Sequence, residues 1–319
     1  MTTIIYDDVY LKHGTGISHP ENSARLKNTI RHLESTDIWQ KLDVKKPRAA
    51  TIEEIALVHS TDHIEKVAEL AKAGGGYLDL DTCVSSDSYD AALYAAGALL
   101  TAVDLIMDNE TNNAFCLVRP PGHHAAPTRG MGFCLFNNVA IAAKYIQSKH
   151  NLDRVVIIDW DVHHGNGTQD AFYEDPSVLY FSMHRYPFYP GTGGEEETGK
   201  GRGLGFTINA PLPYDTKSQK YLKVFQSIMN ERVREFEPQF VLVSSGFDAY
   251  RLDPIGGLGL SAFDYNTLTK LTLNVARDCC GGRLVSCLEG GYNLFDLPKC
   301  IEEHLKGLSG IEAIETIEA

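Results

Sequence analysis

The sequence predicts a single α/β domain built on a parallel sheet with helices on both faces. Three observations predict it. Short apolar, β-branched runs alternate with longer helix-compatible stretches, which is how a parallel sheet reads. Five of those runs end in polar or titratable residues, as strands do when they deliver side chains to one end of an open sheet. No Ser/Pro tract, charge block or fixed-period repeat divides the 319 residues, although length alone would accommodate about two domains. One domain over residues 1–319 is therefore expected.

Residues 3–6 read as the first strand. The polar loop 13–22 follows and runs into a helix start at Ser23-Ala24-Arg25. A helix over 61–73 is closed by Gly74-Gly75-Gly76, and 77–82 then read as a surface loop. Ser86-Asp87 supplies cap acceptors for an Ala-rich helix through Met107. The strand at 114–118 leads into Arg119-Pro120-Pro121-Gly122-His123-His124. After a helix at 138–149, the run Val155-Val156-Ile157-Ile158 leads into Asp159-Trp160-Asp161-Val162-His163-His164-Gly165-Asn166-Gly167-Thr168. The strand at 178–183 meets His184, and the Gly-rich stretch 191–205 reads as a loop because a strand-like run follows it. A helix over 217–236 precedes the strand 240–245, which reaches Gly246-Phe247-Asp248. A helix over 263–279 precedes the last strand, 283–288, which runs into Glu289-Gly290-Gly291-Tyr292.

Hydrophobic content of 43% and charge of 22% suffice for a packed core. A net charge of −13 argues against a sequence-independent nucleic-acid binder, which needs a basic footprint. The amino terminus lacks the basic start and apolar region of a signal peptide, and no uninterrupted apolar run reaches about 18 residues. No membrane span is expected, and a cytoplasmic location is the default. Seven cysteines without a C-x-x-C pair predict reduced, mostly buried thiols rather than a disulfide framework.

The chemistry is concentrated at the strand ends. Asp161 and His163 are two residues apart, so in extended backbone both point to one side. Together with Asp248 they make a two-carboxylate, one-histidine set, which leaves a position open on a divalent ion and marks a catalytic rather than a structural site. Zinc suits that set, and ferrous iron accepts the same groups. His123 and His124, fixed by the preceding Pro-Pro-Gly turn, are acid/base candidates. Asp159 and Asn166 are the groups expected to hold their tautomers. Tyr292, preceded by Gly290 and Gly291, is placed to donate to a developing oxyanion.

Those motifs, with Gly132-Phe133-Cys134-Leu135-Phe136-Asn137-Asn138, Ser245-Gly246-Phe247-Asp248-Ala249 and Leu288-Glu289-Gly290-Gly291-Tyr292-Asn293, resemble the zinc-dependent histone deacetylases. The likeness is to the class II type and its bacterial histone-deacetylase-like amidohydrolases, and it extends in order over nearly the whole chain. It implies the arginase/deacetylase fold and one Zn2+ held by Asp161, His163 and Asp248. It makes His123 and His124 the acid/base pair, with Asp159 and Asn166 behind them, and Tyr292 the oxyanion donor. Class I members have an aspartate where Asn166 stands. Phe133, next to Gly132, and Tyr189 correspond to the walls of an acyl-lysine tunnel, where the family usually has phenylalanine at the second position. Gly291 adjoins that site, and Asp81 corresponds to an acid that grips the substrate backbone. Structural K+ or Na+ is implied around Asp159, Asp161, His163, Ser182 and Met183, and again near Phe172 and Val178.

The implied reaction is hydrolysis of the amide of N6-acetyl-lysine, or a related acyl-lysine, in proteins or peptides such as histone tails. A histidine of the pair takes a proton from water, His124 being the expected base, and a histidine protonates the departing amine. An acetylpolyamine amidohydrolase is the alternative enzyme. Polyamine-selective relatives carry an acid after the Asp-Pro of the loop following the last zinc ligand, and here Asp253-Pro254 is followed by Ile255. A non-catalytic acyl-lysine binder is a third reading, disfavoured because no ligand and no tyrosine is missing.

Overall fold

The computed structural model describes residues 1–310; the remainder of the expected domain, to residue 319, lies outside them. Among the described residues ten strands are present: β1 (Thr2–Ile5), β2 (Leu42–Lys45), β3 (Gly75–Tyr77), β4 (Cys83–Ser85), β5 (Asn113–Cys116), β6 (Val155–Asp159), β7 (Val178–Arg185), β8 (Thr207–Leu212), β9 (Phe240–Ser245) and β10 (Leu284–Leu288). Eight form one sheet in the order β2-β1-β5-β10-β9-β6-β7-β8. Every neighbouring pair in it is parallel.

The central strands β5, β10, β9 and β6 are buried at every residue. That is why they read as continuous apolar runs rather than alternating ones. Helices flank the sheet. Ala262–Cys280 and Leu297–Ser309 pack on each other, and Ala24–Glu34 packs on the latter. Ser88–Met107 and Asn138–His150 form a second packed pair. Ser88–Met107 is long and apolar enough to cross a bilayer. Here its Ala- and Leu-rich surface is spent in the core, with Leu99, Leu100 and Val103 fully buried.

Five local features depart from the sequence expectation. Tyr77 belongs to β3, which pairs antiparallel with β4, so 78–82 is the tip of a hairpin. The Ala-rich helix begins at Ser88 without a side-chain cap from Asp87, and Ser88 Oγ instead accepts from the Ser85 amide at 2.7 Å. The expected 217–236 helix is interrupted by a π-helical turn at Met229–Val233. The edge strand β2 and the helix Leu297–Ser309 were not anticipated. β2 is exposed in its second half and carries Asp43 and Lys45, and the helix opens with Leu297-Pro298, where proline is tolerated at a first turn.

Candidate active site

The carboxyl ends of β5, β10, β9 and β6, adjacent in the sheet, deliver every principal residue. Asp159 ends β6 opposite Ser244 of β9, and Leu288 of β10 lies opposite Ser245. The ladder continues past the strands, with Trp160 N–H donating to Ser244 O (3.2 Å) and Phe247 N–H to Gly290 O (3.0 Å). The loops after three strands therefore leave the sheet in register.

Asp161, His163 and Asp248 are brought together and buried, with one ligand atom from each within 4.8 Å of the others. His163 Nδ1 lies 3.0 Å from Asp161 Oδ1 and 3.1 Å from Asp248 Oδ2. One ring nitrogen cannot donate well to both. Asp248 Oδ2 is buried without an aligned donor, whereas Asp248 Oδ1 accepts from Val162 N–H (2.8 Å) and Asp161 Oδ2 from Gly290 N–H (2.8 Å). Three converging acceptors, one of them unsatisfied, fit a cation. Their spacing approaches the separation of about 3.3 Å for two ligands on one tetrahedral zinc. Glycine makes the approach feasible: a Cβ at Gly290 would lie 2.2 Å from Asp248 Oδ2, and one at Gly246 2.2 Å from Asp161 Oδ2. Burial and the Asp161 charge push Asp248 up to about 7. Burial acts on Asp161 too, but His123 and His163 outweigh it and hold that carboxyl low.

His123 and His124 stand beside this cluster with ring centroids 4.0 Å apart. His123 Nδ1 is 3.0 Å from Asp159 Oδ2, which also accepts from Tyr180 O–H at 3.0 Å. His124 Nδ1 is 2.9 Å from Asn166 Oδ1. An amide oxygen only accepts, so Nδ1 of His124 carries the proton and Nε2 keeps its lone pair. Burial disfavours the His123 cation, but Asp159 and Asp161 override it and raise the group to about 10. His124 goes the other way, well below the usual histidine value, through burial and the neighbouring His123 and His163.

Tyr292 is nearly buried, and burial and then Asp248 raise its phenol well above the usual value, keeping it a proton donor. Its backbone N–H and that of Asn293 donate to Asp253 Oδ2, at 2.7 and 3.2 Å. Gly291 has φ of +122°, a conformation natural to glycine. Arg25, fully buried, donates from Nε to Gly291 O (2.7 Å) and from an Nη to Glu289 O (2.6 Å), and stacks over the Tyr292 ring at 5.1 Å.

Phe133 faces Tyr292 edge-on at 6.1 Å, and Tyr189 faces His124 at 5.2 Å, so both aromatic residues border the site. Gly132 precedes Phe133 with positive φ, and a Cβ there would lie 2.4 Å from the His124 ring. Asp81 is on the exposed hairpin tip. Its carbonyl lies 3.1 Å from His19 Nε2, and its neighbour Thr82 accepts from Phe133 N–H at 3.1 Å. Asp159 and Ser182 are register partners on β6 and β7, and Met183 follows. Ser182 Oγ lies 2.8 Å from His184 Nδ1. Phe172 and Val178 flank the short connection into β7.

The supporting residues were not legible as such. Glu289 Oε2 accepts from the Gly122 and His123 amides (2.7 and 3.2 Å), tying the histidine turn to the tyrosine loop. Glu21 ion-pairs with both Arg25 and Arg119, all three buried. Apart from the i,i+4 pair of Glu21 with Arg25, their partners lie far away in sequence, and no local pattern marks them.

Residues 19–308 match the histone deacetylase domain family. A probable deacetylase of Archaeoglobus fulgidus is 40% identical over 92% of this chain and 82% of its own length. Histone deacetylase 14, chloroplastic, of Arabidopsis thaliana is 40% identical over 93% and 74%. Human histone deacetylase 9 is 37% identical over 98% of this chain but 34% of its own length. The crystal structure of the HDA15 HD domain superposes with a TM-score of 0.92 at 35% identity, covering 99% of this chain and 90% of that one. With the family matched over most of its length and relatives of this identity, the chain belongs to the zinc-dependent histone deacetylase family.

Proposed function

We propose that this protein hydrolyses the amide of N6-acyl-lysine in peptides or proteins, releasing the carboxylate and free lysine. The observation that carries this reading is the convergence of Tyr292 and the His123/His124 pair on the buried Asp161–His163–Asp248 cluster, bordered by Phe133 and Tyr189. Those three residues would hold a zinc ion, which would supply Lewis-acid polarisation of the amide carbonyl and a lowered water pKa, toward about 7.

The chain's own groups do the rest. His124, whose Nδ1–H is committed to Asn166, presents Nε2 as the base that takes the proton of the attacking water. His123, backed by the Asp159 carboxylate, is stabilised as an imidazolium and donates its proton to the departing lysine nitrogen; the proton taken up by His124 restores the pair. Tyr292 donates its phenolic hydrogen to the carbonyl oxygen as negative charge builds there. Phe133 and Tyr189 orient the extended side chain and exclude bulk water.

Ile255 after Asp253-Pro254 offers no carboxylate for a second ammonium, which supports an acyl-lysine rather than an acylpolyamine substrate. Turnover of an acetyl-lysine peptide against N-acetylated spermidine and putrescine tests this. A higher kcat/KM for the peptide is expected, and preference for the polyamines would reassign the substrate. A structural K+ or Na+ around Asp159, Ser182 and Met183, and another near Phe172 and Val178, belongs to the same proposal.

A further inference from the structure

Beside the metal cluster lies a cavity of about 410 Å³, where the loop after β9 meets the end of β7 and the loop after β8. Its lining includes Arg185, Lys217 and Arg251, three cations in a chain whose acids outnumber its bases 42 to 29. Arg154 and Arg234 find carboxylates at the surface. Arg185, Lys217 and Arg251 ion-pair with none among the described residues. Two acids do line the cavity. Asp253 spends Oδ1 on the Ile255 and Gly256 amides and Oδ2 on those of Tyr292 and Asn293. Asp215 forms no ion pair with the three cations.

Arg185 is already posed. Its guanidinium carbon sits 3.9 Å from the Phe188 ring centroid and 4.4 Å from that of Tyr214, so two aromatic rings pack against it. One Nη donates to Gly256 O at 3.0 Å. The remaining N–H groups of this held, planar fork suit a carboxylate or phosphate. Three like charges around one cavity repel each other, and an anion between them relieves that repulsion. The volume falls within the range of small-molecule sites, so the anion's carrier fits too.

We propose that this cavity binds an oxyanion, a phosphate or carboxylate group, either free or borne by a residue near the acyl-lysine of a substrate. The site is joined to the active site on two sides. Phe188, under Arg185, stacks on the ring of His163 at 5.2 Å and 15°, and Asp253 fixes the backbone of Tyr292.

The test is calorimetric titration of the zinc-loaded protein with inorganic phosphate at constant ionic strength. Wild type is compared with Lys217→Gln, Arg251→Gln and the double variant, whose exposed side chains are not needed for folding. A parallel arm compares KM for an acetyl-lysine peptide with phosphoserine or serine beside the lysine. The proposal expects either saturable phosphate binding or a lower KM for the phosphopeptide. Whichever is seen weakens by about tenfold or more in the double variant, the scale of one lost charge-assisted hydrogen bond. The first result identifies a free anion, the second an anion on the substrate. Equal phosphate affinity in all four proteins would put the ion on the metal and overturn the proposal. So would a wild type that neither binds phosphate nor distinguishes the peptides.

Discussion

His123 and His124 lie 4.0 Å apart, yet one leans on a carboxylate and the other on an amide. Replacing the amide removes that difference. In Asn166→Asp the new charge stabilises the His124 cation, so the acidic limb of the kcat/KM profile is expected to move up by about one pH unit. A profile that superposes on wild type would show that Asn166 does not govern the base.

Tyr292 is positioned by Asp253 and Arg25 rather than by the metal ligands. Tyr292→Phe removes one donor to the oxyanion and is expected to lower kcat by about 100- to 1000-fold with little change in KM. Zinc content by elemental analysis should match wild type. Near-normal turnover would take this phenol out of the chemistry.

The unsatisfied Asp248 Oδ2 and the shared His163 Nδ1 make a cluster that is incomplete without a cation. A chelator is expected to abolish activity and lower Tm, and added Zn2+ to restore both. Asp248→Asn should leave a folded protein with substoichiometric metal. Stoichiometric zinc in that variant would contradict the assigned ligand set.

Gly132→Ala places a methyl against the His124 ring at a positive-φ position. Loss of activity is expected to exceed loss of stability, the latter about 1–3 kcal/mol. Denaturant melts set beside kinetic assays separate the two. A variant with intact kinetics would mean the 131–134 turn yields without disturbing the imidazole.

Outside the Asp161–His163–Asp248 cluster, His59 and His304 are buried, and burial lowers both to about 3. The folded state resists protonating them while the unfolded chain does so near 6.5. Their contribution is therefore complete above pH 6.5 and is lost as pH falls from there toward 3, with a slope of up to about 1.4 kcal/mol per pH unit for each histidine. His304 is held between Thr269 and Ser286 hydroxyls, each at 2.6 Å. His304→Asn should flatten the stability curve between pH 6.5 and 4.5 in urea melts, and an unchanged slope would refute the assignment.

The sheet and the residues at its ends were readable because a strand buried on both faces leaves a dense apolar signature, and polar residues stand out where it stops. Asp161, His163 and Asp248 are visible for that reason. β2 carries no such signature, since an edge strand with Asp43 and Lys45 pairs through its backbone alone. The pairing of Arg25 with the Glu289 and Gly291 carbonyls spans more than 260 positions. It exists only after the first helix packs on the last, and no spacing rule reaches that far. The hairpin of β3 and β4 hid because glycines that end a helix also begin a strand when the chain turns back.

Asp161, Asp248, Tyr292 and His123 hang from four neighbouring strands of the sheet whose own residues are sealed from water. The hairpin tip at Asp81, the segment bearing Tyr189 and the stretch after Asp248 hang outside that frame. Selection can therefore redraw what the mouth admits by altering those outer segments, while bond-breaking geometry is inherited from the interior unchanged.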